Sequence, residues 1–141
     1  YDDSRLQKAA KNAPKHNFDE MIFRGHVVFT YDLLASAGYT RSEALAKIEK
    51  ITDKYGMHPK TKGGRKKALG TIVDNFNAPS RRKLRDEAWE VALDFYEQLK
   101  FYVDVFRKTF QGTDKEFADY YVNNRFGEIS KSLRNPDSGL A

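Results

Sequence analysis

Apolar residues recur along this chain with a helical period rather than the alternation of a strand. Between Asn17 and Gly38, the apolar positions Phe18, Met21, Ile22, Val28, Phe29, Leu33 and Ala37 cover more than one face, which predicts a well-buried helix. Asn17 is its expected cap, Asp19 and Glu20 fill the first turn, and Gly38 marks the end. The run HVVFTY has strand character, but no second run of comparable quality exists to pair with it. Next, Thr40-Arg41-Ser42-Glu43 matches a capping box, followed by Ala44, Leu45, Ile48, Ile51 and Tyr55 on one face and Gly56 as the stop.

A loop with Pro59 and a Gly63-Gly64 pair leads to a short helical piece, ALGTIVDNF. Its Ala68, Leu69, Ile72, Val73 and Phe76 share one face, and Asn77-Ala78-Pro79 breaks it. Ser80 is the expected cap of the longest element, Arg81 to Gln111. Its stripe runs through Leu84, Ala88, Val91, Ala92, Phe95, Leu99, Tyr102, Val103, Phe106 and Phe110. Gly112 stops it, and Thr113-Asp114-Lys115-Glu116 opens another capping box before Phe117, Ala118, Tyr120, Tyr121, Val122 and Phe126. The expected fold is all-α: a helical bundle of four principal helices with a short basic-flanked helix and an N-terminal helical arm. The expected divisions are an arm over 1–16, a bundle over 17–126 and a loose C-terminal tail over 127–141.

Composition agrees with one domain that has a real core. The 141 residues are 40% hydrophobic, with ten Phe, eight Tyr and one Trp, too many for a disordered chain. No cysteine is present, which removes disulfides and thiolate metal sites. No apolar run has the length of a membrane span. The chain opens YDDSRLQKAA without a Met or a signal-like apolar core, as expected if leading residues are missing or processed.

Charge changes the picture more. The stretch from His58 to Arg85 holds nine cations, Lys60, Lys62, Arg65, Lys66, Lys67, Arg81, Arg82, Lys83 and Arg85, against one acid, Asp74. The whole chain is only +5, so the stretch at +8 leaves the remainder near −3. Two basic clusters flanking a packed helical piece suit a regularly spaced polyanion such as a nucleic acid backbone. The plainer alternative is a solvated loop followed by a solvated helix start. Arg81, Arg82 and Lys83 sit at the positive end of their expected helix, a conflict that a bound phosphate relieves. In the arm, Arg5, Lys8, Lys11 and Lys15 can reach the same anion, although a frayed terminus reads equally well.

The residues offer little for catalysis. Gly63-Gly64-Arg65-Lys66-Lys67 lacks the phosphate-loop spacing and joins no strand to a helix. His16, His26 and His58 fall in different elements without carboxylates at ligand spacing, so neither a metal nor a cofactor is expected. His26, on an apolar helix, reads as a satisfied core residue and His58 as part of the basic loop. Carboxylate pairs such as Asp19-Glu20 and Asp86-Glu87 fall mostly in first helical turns, where the dipole explains them. The chain is therefore not expected to be an enzyme. The long helix carries too many aromatics for one face, and the expected subunit contacts are Tyr96, Phe101, Tyr120 and Tyr121.

Lys54-Tyr55-Gly56, the basic loop after it, and Leu99-Lys100-Phe101-Tyr102 with Thr109-Phe110 resemble an ordered pattern in one family. It is that of the major coat proteins of archaeal rod-shaped and filamentous viruses (rudivirus, lipothrixvirus and tristromavirus type). The resemblance covers about residues 44–125 and does not extend to residues 1–43. It implies a helical-bundle subunit, paired with itself or with a paralogous coat protein. Such subunits wrap linear double-stranded DNA in A-form, independent of base sequence, in a virion that in some members carries a lipid envelope. Two other classes stay open from the residues: a small helical RNA- or single-strand-binding subunit of a ribonucleoprotein complex, and a helix-turn-helix DNA-binding protein.

Overall fold

A computed structural model describes residues 15–60, 63–77 and 87–134. These are helical, without a strand among them. The elements are α1 (Lys15–Ser36), α2 (Arg41–Lys54), α3 (Leu69–Asn77), α4 (Glu87–Thr109) and α5 (Asp114–Tyr120), then a π-helical segment (Tyr121–Phe126) and α6 (Gly127–Arg134). Residues 1–14 of the expected arm, the break at Ala78-Pro79, the Ser80 cap and the first turns expected of the long helix lie outside the described residues.

Both capping boxes form. The Glu43 N–H donates to Thr40 Oγ1 while the Thr40 N–H donates to Glu43 Oε1, and Thr113 and Glu116 repeat the exchange. Gly56 ends α2 with φ +63°, the left-handed conformation that favours glycine. α1 is already running at Lys15, so Asn17 lies within the helix and is not its cap.

Packing is organised around α1 rather than around the basic stretch. Phe23, His26, Val27, Val28, Phe29, Thr30 and Leu34 are all buried, because α1 touches every other helix and packs most extensively on α4. Gly25 permits that close crossing, since a Cβ there would lie 3.3 Å from the Ala92 carbonyl oxygen. One core cluster joins α1 to Ala44, Ile48 and Ile51 of α2 and to the whole apolar face of α3. A second joins Phe29 to Leu99 and Val103 of α4 and to Phe117 and Tyr121. The turn between α1 and α2 is tied to α5 by Tyr39, whose hydroxyl donates to Asp119 and whose ring lies under Lys47 and Lys115.

At the C-terminal end the sequence expectation needs correction. Residues 127–134 are not a loose tail: they form α6, which packs on α1 and buries Ser130 completely. The six π-helical residues of 121–126 insert extra backbone into the turn, shifting the register by which the apolar period could be followed. Gly127 looks like a helix stop but is a close-packing residue with ordinary helical torsions. A Cβ there would fall 2.5 Å from Tyr55 Cε2. Gly127→Ala is therefore expected to cost about 1–3 kcal/mol through overpacking, despite alanine's better helix propensity. Thermal unfolding of Gly127→Ala alone and with Tyr55→Ala checks this, because the second substitution removes the clashing ring and should make the first nearly neutral.

Candidate nucleic-acid interface

The basic loop is built as a clipped hairpin between α2 and α3. Past Gly56 the chain turns back, with Met57 and Pro59 buried as anchors. The Met57 N–H donates to the Thr52 carbonyl at 2.8 Å and the Lys67 N–H to the Pro59 carbonyl at 2.8 Å. Lys60 and Lys66 pair as an isolated antiparallel bridge, and Gly64 makes the reversal with φ +80°.

His58 closes the clip rather than standing on the surface, a correction to its expected place in the basic loop. Its Nε2–H donates to the Lys67 carbonyl at 3.0 Å, its Nδ1 lies 3.0 Å from Thr52 Oγ1, and its side chain is only 7% exposed. What the clip presents to solvent is Lys60, Arg65 and Lys66, with Lys67 half-buried. On the other side of the loop, Leu69, Ile72, Val73 and Phe76 bury the apolar face of α3 in the core. A cationic loop on such an anchored frame has lost much of its conformational entropy before any ligand arrives.

Two acids near this surface are already occupied. Asp74, the one carboxylate of the basic stretch, receives Arg41 in a bidentate pair at 3.1 and 3.1 Å. Asp53 receives Lys66 Nζ at 2.7 Å, a hydrogen bond that holds the lysine pKa above its ordinary value. The loop's exposed cations are thus Lys60, Arg65 and Lys66, the last of them shared with Asp53.

Two further cations, neither of them among the expected phosphate contacts, stand at the root of the loop. Lys54 and Lys131 both approach the Tyr55 ring, at 5.6 and 4.9 Å from its centroid. Lys131 reaches this place only because 127–134 is helical, and no local signal pairs it with Tyr55. Of the other expected contacts, Lys15 opens α1. Lys8, Lys11, Lys62, Arg81, Arg82, Lys83 and Arg85 lie outside the described residues.

The expected subunit contacts separate. Phe101 is 74% exposed and is joined by Tyr102 and Val105, although Tyr102 was expected on the buried stripe. Tyr120 is half-buried and stacks on Phe106. Tyr96 and Tyr121 need correction. The Tyr96 hydroxyl donates to Asp32 and its ring packs between Phe29 and Phe76. Tyr121 is 2% exposed, with its hydroxyl 2.9 Å from His26 Nε2.

His26 is the satisfied core histidine expected. It is fully buried, stacked on Phe126 at 4.3 Å, with Nδ1 3.0 Å from Ser130 Oγ, and burial lowers its pKa to about 3. A neutral ring donates from one nitrogen and accepts at the other, and both hydroxyls can complement either tautomer. A cavity of about 180 Å³ lies between α1, α4 and α5, lined partly by Leu33, Ala37, Val103 and Phe117. Arg107 at its wall is spent on Asp114 and on the carbonyls of Phe110 and Gly112, which finish the end of α4. No protein-family model, no curated protein and no solved structure matches this chain.

Proposed function

We propose that this chain is a structural nucleoprotein: a helical-bundle subunit that coats linear double-stranded DNA through sequence-independent phosphate contacts and assembles into a filament. The observation that carries the reading is the clipped loop. Lys60, Arg65, Lys66 and Lys67 stand on a buried frame, and two nearby carboxylates, Asp53 and Asp74, are already paired. Such a surface attracts a polyanion without offering base-reading geometry. Lys62, Arg81, Arg82, Lys83 and Arg85 extend the same cationic stretch in sequence, and Lys8, Lys11 and Lys15 supply the arm. The resemblance of residues 44–125 to archaeal filamentous-virus coat proteins supports the same reading. With it come A-form DNA, a virion location, a like or paralogous partner subunit, an envelope in some members of that family and no catalytic role.

A helix-turn-helix reading fares worse. The turn at Gly38-Tyr39 is short enough, but three polar residues of the helix after it are engaged within the chain. Arg41 is on Asp74, Glu43 is in its capping box and Lys47 is on Asp119. Little remains there to read base edges.

The test is a titration of long mixed-sequence duplex DNA with purified protein. Circular dichroism in the nucleic-acid band and negative-stain images are taken on the same samples. Regular filaments with a shift toward an A-form spectrum are expected. Failure to coat duplex combined with tight binding to single-stranded RNA would replace this reading with the ribonucleoprotein one.

A further inference from the structure

The outer face of α4 carries the exposed large hydrophobics of the described residues: Phe101 at 74%, Tyr102 at 53% and Val105 at 49%. Phe101 and Val105 lie opposite the buried Ala92, Leu99 and Val103, while Tyr102 sits on the flank, where Arg125 donates to its hydroxyl, so α4 is apolar again where it faces water. The charges around this patch are ordered along the helix. Asp94 and Glu97 are exposed one to two turns before it, and Lys108 is exposed one turn after it. Lys100 and Asp104, also exposed, line the same flank as Glu97 and Lys108.

We propose that this face is a self-association surface, on which α4 of a second copy of this chain lies antiparallel about a two-fold axis near residue 103. The pattern is self-complementary in that orientation alone. Setting Phe101 against Val105 of the other copy brings Glu97 to within one residue of opposite Lys108, and Lys100 to within two residues of opposite Asp104. Each pair occurs twice by symmetry. A parallel pairing would instead set the acidic turn of one copy against the acidic turn of the other. None of Glu97, Lys100, Asp104 and Lys108 makes an ion pair among the described residues, so these charges are open to a partner. The patch is small beside the interface of a tight obligate dimer, so the pairing belongs to a weak association that a filament strengthens by repetition. The inference rests on the proposed function for its purpose, since a coat must hold its subunits together. Its test contains no nucleic acid, so the two readings fail separately.

The experiment is sedimentation velocity of the full chain over about a hundredfold range of concentration, where mass action shifts a reversible dimer. Wild type is expected to move from monomer to dimer. Glu97→Lys and Lys108→Glu should each weaken dimerisation at least about tenfold, because each places like charges in contact twice. An equimolar mixture of these two variants should restore it. In the mixed dimer the introduced lysine at 97 faces the introduced glutamate at 108, while the native Lys108 and Glu97 face each other. Phe101→Asp should leave only monomer, with an unchanged helical spectrum as the control for folding. Wild type that stays monomeric throughout would overturn the proposal, and so would a mixture that stays as monomeric as its components.

Discussion

Phe126→Ala is expected to lower the stability of this protein by about 3–5 kcal/mol, the cost of emptying a large aromatic site in a packed core. Phe126 has no exposed surface, stacks on His26 at 4.3 Å and meets Phe23 edge-on at 6.2 Å. It is carried by the π-helical segment and packed against α1, so the surrounding helices cannot close the space by moving one side chain. For a chain of this size the loss corresponds to a fall in melting temperature of roughly 10–20 °C. It is a large share of the ~5–15 kcal/mol that domains usually have. Denaturant unfolding followed by far-ultraviolet circular dichroism measures it directly. A loss under about 1 kcal/mol would show that 121–134 is not a structural part of the core.

Acid should unfold the protein through His26. Its folded pKa of about 3 lies below the ordinary histidine value of 6.5, so between those limits the unfolded chain binds a proton that the folded chain excludes. Stability is therefore complete above pH 6.5 and declines as pH falls, by about 1.4 kcal/mol per pH unit, until the folded value is reached. Near pH 4.5 the loss is about 3 kcal/mol. The cost arises from burial rather than from broken hydrogen bonds, because Tyr121 Oη and Ser130 Oγ can both accept from a protonated ring. His26→Gln should be less stable at neutral pH, having lost the stack on Phe126, yet it should depend less steeply on pH between 6.5 and 4. Parallel slopes for the two proteins would remove His26 from the account. Glu43, held below the usual carboxylate range by the Thr40 N–H, acts in the same direction in both proteins and cancels in the comparison.

Local signals carried well from sequence to structure. Thr40-Glu43 and Thr113-Glu116 need only four residues to specify a helix start, and both boxes form as read. The apolar face of α3 is likewise legible, since Leu69, Ile72, Val73 and Phe76 repeat within two turns and are buried, whereas Ala68, expected on the same face, precedes the helix and is exposed. What failed depends on contacts distant in sequence. His58 resembles one more basic residue until the Lys67 carbonyl and Thr52 are placed beside it. Tyr121 resembles a surface aromatic until His26, 95 residues earlier, is found against its hydroxyl. α6 was hidden by the π-helical insertion before it and by Gly127, which is there because the Tyr55 ring leaves no room for a Cβ. In the candidate interface the cations were legible as a run of charge. The pairing of Asp53 and Asp74, which sharpens that charge, depends on α2 lying beside the loop and α3.

The central claim, that the clipped loop grips a phosphate backbone, is tested most directly by the salt dependence of duplex binding. Affinity for mixed-sequence duplex DNA would be measured at several salt concentrations for wild type and for a variant with Lys60, Arg65, Lys66 and Lys67 replaced by glutamine. The account predicts a steep logarithmic salt dependence in wild type and a slope reduced by about three in the variant, with affinity lost by a similar factor on every sequence. A variant that keeps the wild-type slope would contradict it.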